Sequence, residues 1–399
     1  MKLLFLTDNF PPEVNAPATR TYEHCKEWVK EGVEVTVVTC APNFPQGKVF
    51  EGYKNRLFYK EVIDGIKVIR VWTYISANKG FIKRILDYVS FMISSFIVGL
   101  FIKTDIIVAT SPQFFTAISG RWLSFWKRKK WIMEVRDLWP ESIKAVGAMG
   151  PNSAISFFEF LESRMYKNAS KIVVVTDSFK KTLNEKHNVP SSKIEVVKNG
   201  VNSDLFIPTE KNLELLNQLR LENKIIVGYI GTHGMAHALD FILKCAKKIK
   251  EEQIHFLFLG DGAKKEELLE LKNSLGLQNV TMLPSVSKKE VVEYISILDI
   301  ALVNLKKSDT FKHVIPSKIF ELCAMHKPIL LGVEGETKKI IEDYMVGVTF
   351  EPENEEDFLE KILLLKNNPV NQEKFKNIIK DFDRKKLAKK MINFIANQN

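Results

Sequence analysis

The residues best suited to chemistry lie in the stretch Val314-Ile315-Pro316-Ser317-Lys318-Ile319-Phe320-Glu321-Leu322-Cys323-Ala324-Met325-His326-Lys327-Pro328, followed by the apolar run Ile329-Leu330-Leu331-Gly332. Pro316 suits the first turn of a helix, where its missing N–H is not needed and its fixed φ is already helical. The N–H groups of Ser317, Lys318 and Ile319 would then lack partners at the positive end of that helix. A phosphate could dock there, with Lys318 adding a full charge. Glu321 falls one turn later on nearly the same face, and its carboxylate suits the paired hydroxyls of a ribose. The chemistry implied is the holding of a nucleotide diphosphate by one helix end. Pro, Ser and Glu also open ordinary helices as caps, so the stretch by itself leaves both readings open.

Three other stretches place chemical groups just after apolar runs. Val227-Gly228-Tyr229-Ile230-Gly231-Thr232-His233-Gly234 reads as strand, glycine-bearing loop and helix start. Gly231 and Gly234 would let the backbone approach a diphosphate, and His233 fits a loop cap as well as a ligand. Leu259-Gly260-Asp261-Gly262-Ala263-Lys264-Lys265 is a second such turn, with Lys265 as a long-range helper. In Glu134-Val135-Arg136-Asp137-Leu138-Trp139-Pro140-Glu141-Ser142 charged residues follow a buried strand, which points them at a ligand. The alternative is an Arg136–Asp137 pair that only fixes the loop. The first loop, Asp8 to Arg20, carries Pro11, Pro12 and Pro17, which lower the entropy lost when it closes on a ligand. Arg20 suits either an anionic ligand or a surface ion pair.

These loops need sheets to carry them. The chain of 399 residues is long for one core and predicts two domains of about 200 residues each. Apolar content of 45% with 27% charged residues is that of a globular protein. Cys25, Cys40, Cys245 and Cys323 show neither metal-ligand spacing nor a disulfide framework, which fits a reducing cytoplasm. The opening Met1-Lys2-Leu3-Leu4-Phe5-Leu6-Thr7 is too short in apolar residues for a secretory signal and reads as a buried strand. A net charge of +10 favours polyanions, among them a sugar diphosphate or a phospholipid surface. Nucleic acid is not expected as a partner, because no recognised binding module is present.

Runs rich in Val and Ile recur at Leu3–Thr7, Val33–Thr39, Ile66–Trp72, Asp105–Thr110, Trp131–Val135, Lys171–Thr176 and Ile194–Val197. They restart at Ile225–Ile230, His255–Leu259, Asn279–Leu283, Asp299–Val303, Pro328–Leu331 and Val346–Phe350. Such runs, with helical stretches between them, belong to parallel sheets covered on both faces. The predicted fold class is α/β, two facing Rossmann-like doubly wound domains with a cleft between them. The expected divisions are 1–205, 206–380 and a C-terminal helix in 381–399 packing back toward the first domain. Residues 82–102 form an apolar helix, whose eighteen-residue run Ile85–Ile102 would reach about 27 Å, near the minimum for a bilayer. Asp87, Ser90 and Ser94 share one of its faces. A span would break the sheet, which leaves a helix packed on the sheet, with or without its outer face in the membrane interface.

The run PSKIFELCAMHKPIL resembles the nucleotide-sugar-binding helix of retaining glycosyltransferases of family 4, enzymes of the GT-B fold. That family's motif has two glutamates eight positions apart. Glu321 matches the second, the ribose ligand; the first, which touches the donor sugar, falls on His313. A similar loss with PSK kept is a feature of a branch that adds N-acetylated amino sugars to lipid-linked O-antigen or capsule units. VRDLWPES resembles the acceptor-facing loop of the same branch. The resemblance thus implies Asp137 and Arg136 as catalytic groups beside Lys318, with Asn15, Arg20 and Glu141 on the acceptor side. It implies donor contacts at Ser317, Ile319, Glu321, Gly231, Gly234, His233 and His313, with Leu283 and Pro284 packing near the uracil. Many members carry Arg and Lys where this chain has His233 and His237.

The resemblance further implies a metal-independent, retaining transferase needing no cofactor. It would use a UDP-sugar and a polyprenyl-diphosphate-linked saccharide at the inner face of the cell membrane. The alternatives are a UDP-sugar 2-epimerase and a non-catalytic protein that binds membrane surfaces.

Overall fold

The structure, a computed structural model, describes residues 1–44, 46–75, 81–111, 114–138 and 153–397. Glu141, expected on the acceptor side, lies outside the described residues. The chain divides into two compact units, Met1–Lys198 with Arg384–Asn399, and Asn199–Asp383.

The first unit is built on β1 (Lys2–Leu6), β2 (Glu34–Cys40), β3 (Phe58–Ile63), β4 (Ile66–Val71), β5 (Ile106–Thr110), β6 (Lys130–Val135), β7 (Lys171–Val174) and β8 (Ile194–Val196). They lie in the order β3-β4-β2-β1-β5-β6-β7-β8. All neighbours are parallel except β3 and β4, which form a hairpin. The hairpin strand β3 was not expected from the sequence. It is an edge strand whose residues alternate between exposed and half-buried, so Lys60 and Glu61 interrupt the apolar run that marks the central strands. β1 pairs on both sides, Phe5 lying opposite Val37 and Val108, and its core residues are buried as its unbroken apolar run requires.

The second unit is built on β9 (Ile225–Ile230), β10 (Ile254–Leu259), β11 (Val280–Leu283), β12 (Ile300–Asn304), β13 (Ile329–Gly332) and β14 (Gly347–Thr349). Their order is β11-β10-β9-β12-β13-β14, all parallel. Both units are Rossmann-like α/β layers, as the spacing of the apolar runs predicts.

The division between units differs from the expected 205/206 and 380/381. Val201 donates its N–H to the Phe382 carbonyl at 3.0 Å and shares a core with Phe206, which assigns 199–205 and 381–383 to the second unit. The chain then returns through a helix, Arg384–Ala396, onto α1 (Ala16–Lys30) of the first unit. Trp28 donates from Nε1 to the Ala388 carbonyl at 2.8 Å, and Arg384 pairs with Glu23 at 3.3 Å. Leu387, Ala388, Met391 and Ile392 complete the core around Trp28, Val35 and Val37.

The apolar helix runs from Phe81 to Leu100 (α2) rather than 82–102. It lies against α3 (Phe114–Lys127), with Phe91 and Met92 in the core and the hydroxyls of Ser95 and Ser119 2.9 Å apart. Among the described residues no helix is long and apolar enough to cross a membrane. Leu86, Ile93 and Ile97 remain exposed on its outer side.

Candidate functional site

In the second sheet β9 and β12 are neighbours, yet the chain leaves β9 toward β10 and β12 toward β13. Open α/β sheets take ligands outside the strand ends at such a reversal. Beyond β9 the chain passes Gly231 at φ 142°, where a Cβ would lie 2.5 Å from the Lys318 amine. Glycine at 231 therefore makes room for Lys318. The amine sits 4.0 Å from the centre of the Tyr229 ring and is buried without a hydrogen-bond partner among the described residues. Burial pushes its pKa down to about 7, against the opposing pull of the Glu321 carboxylate. The ring face attracts the cation but leaves its three N–H donors unsatisfied.

Two histidines surround the same ring, His233 at 5.9 Å and His237 at 6.0 Å between centroids. Neither nitrogen of His233, nor Nδ1 of His237, has a partner among the described residues. Burial lowers both to about pKa 4, with the Lys318 charge contributing, so both are neutral near pH 7. Asn304 ends β12, donates from Nδ2 to the His237 carbonyl at 3.0 Å, and leaves Oδ1 unpartnered among the described residues. Each buried polar group left unpaired costs about 1–3 kcal/mol. Such a concentration of them, with one amine at its centre, fits a polar, anionic occupant.

The remaining donor-side residues are placed as follows. Gly234 has an ordinary negative φ and opens a short 3-10 turn over Met235–His237, so glycine is not demanded there by backbone geometry. Ser317 is already helical in φ and ψ, and the helix proper, Lys318–Ala324, begins two residues after Pro316. Ile319 is a correction. Its side chain is in the core and its N–H donates to the Pro316 carbonyl at 3.2 Å, because the helix is entered through a tight turn. The expected row of three free N–H groups is thereby shortened to Ser317 and Lys318. Glu321 is half-buried with one carboxylate oxygen 3.9 Å from the Lys288 amine. His313 is exposed at the end of a 3-10 turn, Asp309–His313.

Leu283 is half-buried and Pro284 exposed at the end of β11. The Leu283 carbonyl accepts from the Gly260 N–H at 3.2 Å and the Lys265 amine at 2.6 Å, so both of its lone pairs are engaged. Lys265 also bonds the Gly260 carbonyl at 2.9 Å and is a clamp on two strand ends rather than a helper for a ligand. A Cβ on Gly260 would lie 1.9 Å from the Gly231 carbonyl; glycine there lets two loops touch.

In the first unit, two residues expected on the acceptor side are engaged within the protein itself. Arg20 is fully buried in α1. It pairs with Glu134 at 2.9 Å and donates to the carbonyls of Val197 at 2.9 Å and Lys198 at 2.8 Å. It ties α1 to β6 and to the chain after β8. Asn15 caps α1, accepting from the Ala18 N–H at 2.9 Å, while its amide donates to Asn9 at 2.5 Å. Arg136 donates to the Pro17 carbonyl at 3.2 Å, and burial lowers its pKa to about 10. Asp137 is half-buried in the bend after β6.

Two family models match the chain. One, described as Glycosyltransferase Family 4, matches residues 17–205; the other, Glycosyl transferases group 1, matches 212–393. Between them they leave only 206–211 and the two ends unmatched. The chain belongs to the family 4-like, group 1 glycosyltransferases. The glycosyltransferase is 24% identical over 99% of its length, and the whole of the relative's, to a protein of Escherichia coli K12 described as a colanic acid biosynthesis glycosyl transferase, WcaI. It is 25% identical over 67% of each chain to one of Bacillus subtilis 168 described as a teichuronic acid biosynthesis glycosyltransferase, TuaH. Among solved structures, Anabaena HepE in complex with UDP-glucose superposes with a TM-score of 0.75 at 13% identity, over 99% of each chain. That likeness shows the GT-B fold.

Sequence reasoning passed over several groups in the glycosyltransferase. Tyr229 and Asn304 are two of them: each ends or nearly ends a strand at the reversal of the second sheet. In the first unit Asp8 lies two residues beyond β1, and burial raises its pKa while a hydrogen bond from Asn9 and the Arg136 charge oppose. Asp87 of α2 is raised to about 7 by burial and then by Asp8 and Glu13. These acids gather beyond β1 and β5, where that sheet in turn reverses.

Proposed function

We propose that the glycosyltransferase moves an N-acetylated amino sugar from a UDP-sugar to a hydroxyl of a polyprenyl-diphosphate-linked saccharide, with retention, at the inner face of the cell membrane. The product belongs to surface polysaccharide assembly of the O-antigen or capsule type. The observation that carries the donor half is the buried, unpartnered Lys318 amine between Gly231 and the Tyr229 ring. Relatives described as acting in colanic and teichuronic acid biosynthesis, and a fold neighbour solved with UDP-glucose, support the substrate class.

In this reading the diphosphate lies against Lys318, Ser317 and the Gly231–His233 backbone, and the ribose against Glu321. The acceptor falls to the first unit, with Asp137 orienting its hydroxyl and Arg136 answering a phosphate. The bond from the anomeric carbon to the β-phosphate oxygen breaks as the acceptor hydroxyl closes on the same face. The departing phosphate oxygen takes the hydroxyl proton, which gives retention without a covalent enzyme intermediate. Lys318 stabilises the charge that grows on the phosphate, where preorganised electrostatics act most strongly. No metal is assigned a part, so turnover with EDTA should equal turnover with magnesium.

Glu321→Ala should weaken UDP by about 10- to 100-fold, the worth of a charged hydrogen bond of about 1.5–3 kcal/mol. Titration calorimetry with UDP and with 2′,3′-dideoxy-UDP checks this. The wild type should prefer UDP and the variant should not; equal affinities in the wild type would remove Glu321 from the ribose.

The reading as a whole is tested by incubating the purified protein with UDP-N-acetylamino sugars, with and without a polyprenyl-diphosphate-linked saccharide, and following products by mass spectrometry. Acceptor-dependent UDP release with a gain of one sugar is the expected result. Conversion of the donor in the absence of acceptor would make the protein an epimerase instead.

A further inference from the structure

The ends of α2 and α3 lie on one edge of the first unit. Lys127 donates from its amine to the Leu100 carbonyl at 2.8 Å, and the rings of Phe96 and Trp122 meet edge to face at 5.5 Å. Around this junction Phe101 is 86% exposed, Phe125 78%, Trp126 68% and Trp122 41%. Isolated exposed apolar residues need no explanation, but four large aromatics at one helix junction exceed what a surface facing only water keeps. The charge beside them is one-sided. Residues 81–105 and 114–130 contain eight Lys and Arg against two acids, Asp87 and Asp105. Lys103, Arg128, Lys129 and Lys130 are exposed at the aromatic edge.

We propose that this edge is a docking face for an anionic phospholipid bilayer, with Phe101, Trp122, Phe125 and Trp126 entering the interface and the four basic residues meeting the headgroups. Tryptophan settles at that depth because its ring is apolar and its N–H polar. Each basic residue near an anionic leaflet strengthens partitioning by roughly fivefold. A second copy of the chain carries the same cationic edge and would be repelled, which favours lipid as the occupant. The inference deepens the reading above, resting on it only for the reason to dock: a lipid-borne acceptor.

The test is flotation of the full chain with vesicles of phosphatidylcholine, with and without phosphatidylglycerol, alongside UDP binding. The wild type should float with the anionic vesicles only, and added salt should release it. Phe125→Ala/Trp126→Ala and Lys129→Glu/Lys130→Glu should each cut partitioning by roughly tenfold or more, while UDP affinity stays unchanged. Brominated lipids should quench wild-type fluorescence more than that of the aromatic variant. A wild type that binds UDP but neither vesicle overturns the docking face and leaves the transferase standing. Vesicle binding without UDP binding supports the face and removes the transferase reading. A dimer dissolved by Phe125→Ala/Trp126→Ala, with no vesicle binding, gives the face to a second copy and overturns the proposal.

Discussion

Lys318→Met is expected to make the ligand-free protein more stable and the enzyme far slower. The wild-type amine is buried over Tyr229 with no acceptor among the described residues. Methionine fills a similar volume without a charge to desolvate, so about 1–3 kcal/mol should be recovered. For a unit of this size that is about 2–10 °C in the melting midpoint. Turnover should fall by about 10²–10³-fold, the usual effect of removing one group that stabilises a developing oxyanion. Calorimetry of the apo protein and steady-state kinetics check the two halves. A less stable variant with normal kinetics would make Lys318 a structural residue.

The pH dependence has a definite sign. The folded amine titrates at about 7 and has an ordinary value near 10.5. Between those values the unfolded chain holds a proton that the folded chain lacks, so this group makes stability rise with pH across the window. Lys318→Met should flatten that rise. A bound diphosphate favours the charged amine, so UDP binding near pH 8 should take up close to one proton. Calorimetry in buffers of different ionisation enthalpy measures it directly.

Arg20→Met should destabilise the first unit by about 3–5 kcal/mol, because it strands the Glu134 carboxylate in the core. The Arg20–Glu134 pair is almost wholly inaccessible to solvent, and the same guanidinium holds the carbonyls of Val197 and Lys198. Burial pushes the Glu134 pKa up, and the charges of Arg20 and Arg136 more than offset it, leaving the group below its ordinary value. Its stabilisation is present above the carboxylate range and is lost as pH falls through the folded value. Arg20→Met/Glu134→Gln should recover much of the loss, which thermal unfolding of the two variants would show. UDP binding, which the proposed function assigns to the second unit, should be untouched by either. A drop below about 1 kcal/mol with a raised acceptor KM would return Arg20 to the acceptor side.

The contrast between these residues explains what the sequence could disclose. Central strands such as β1 and β10 are legible because burial on both faces demands unbroken apolar runs. β3 is not, since an edge strand with one wet face admits Lys60 and Glu61. Lys318 and Glu321 are legible as a local pattern on one short helix. That the Lys318 amine would be buried is not, because it depends on the missing Cβ of Gly231 in a distant loop. Arg20 was misread for the same reason: a charged residue in a loop-to-helix stretch reads as exposed unless its partner, here Glu134 on β6, is known. The tight turn that uses the Ile319 N–H lies below what proline and serine spacing can resolve.

The return of Arg384–Ala396 to the first unit means that the second unit is inserted into the first. Its two ends are tied together by the pairing of Val201 with Asp383 and by Ser203, whose hydroxyl donates to the Asp383 carboxylate at 2.5 Å. Order of synthesis is therefore not order of completion. On the ribosome Asn199–Asp383 is made, and leaves the exit tunnel, ahead of the helix that covers Trp28. The earlier-made unit is the last to acquire its full core, and a chain cut short after Asp383 would damage the half of the protein farthest from the cut in sequence.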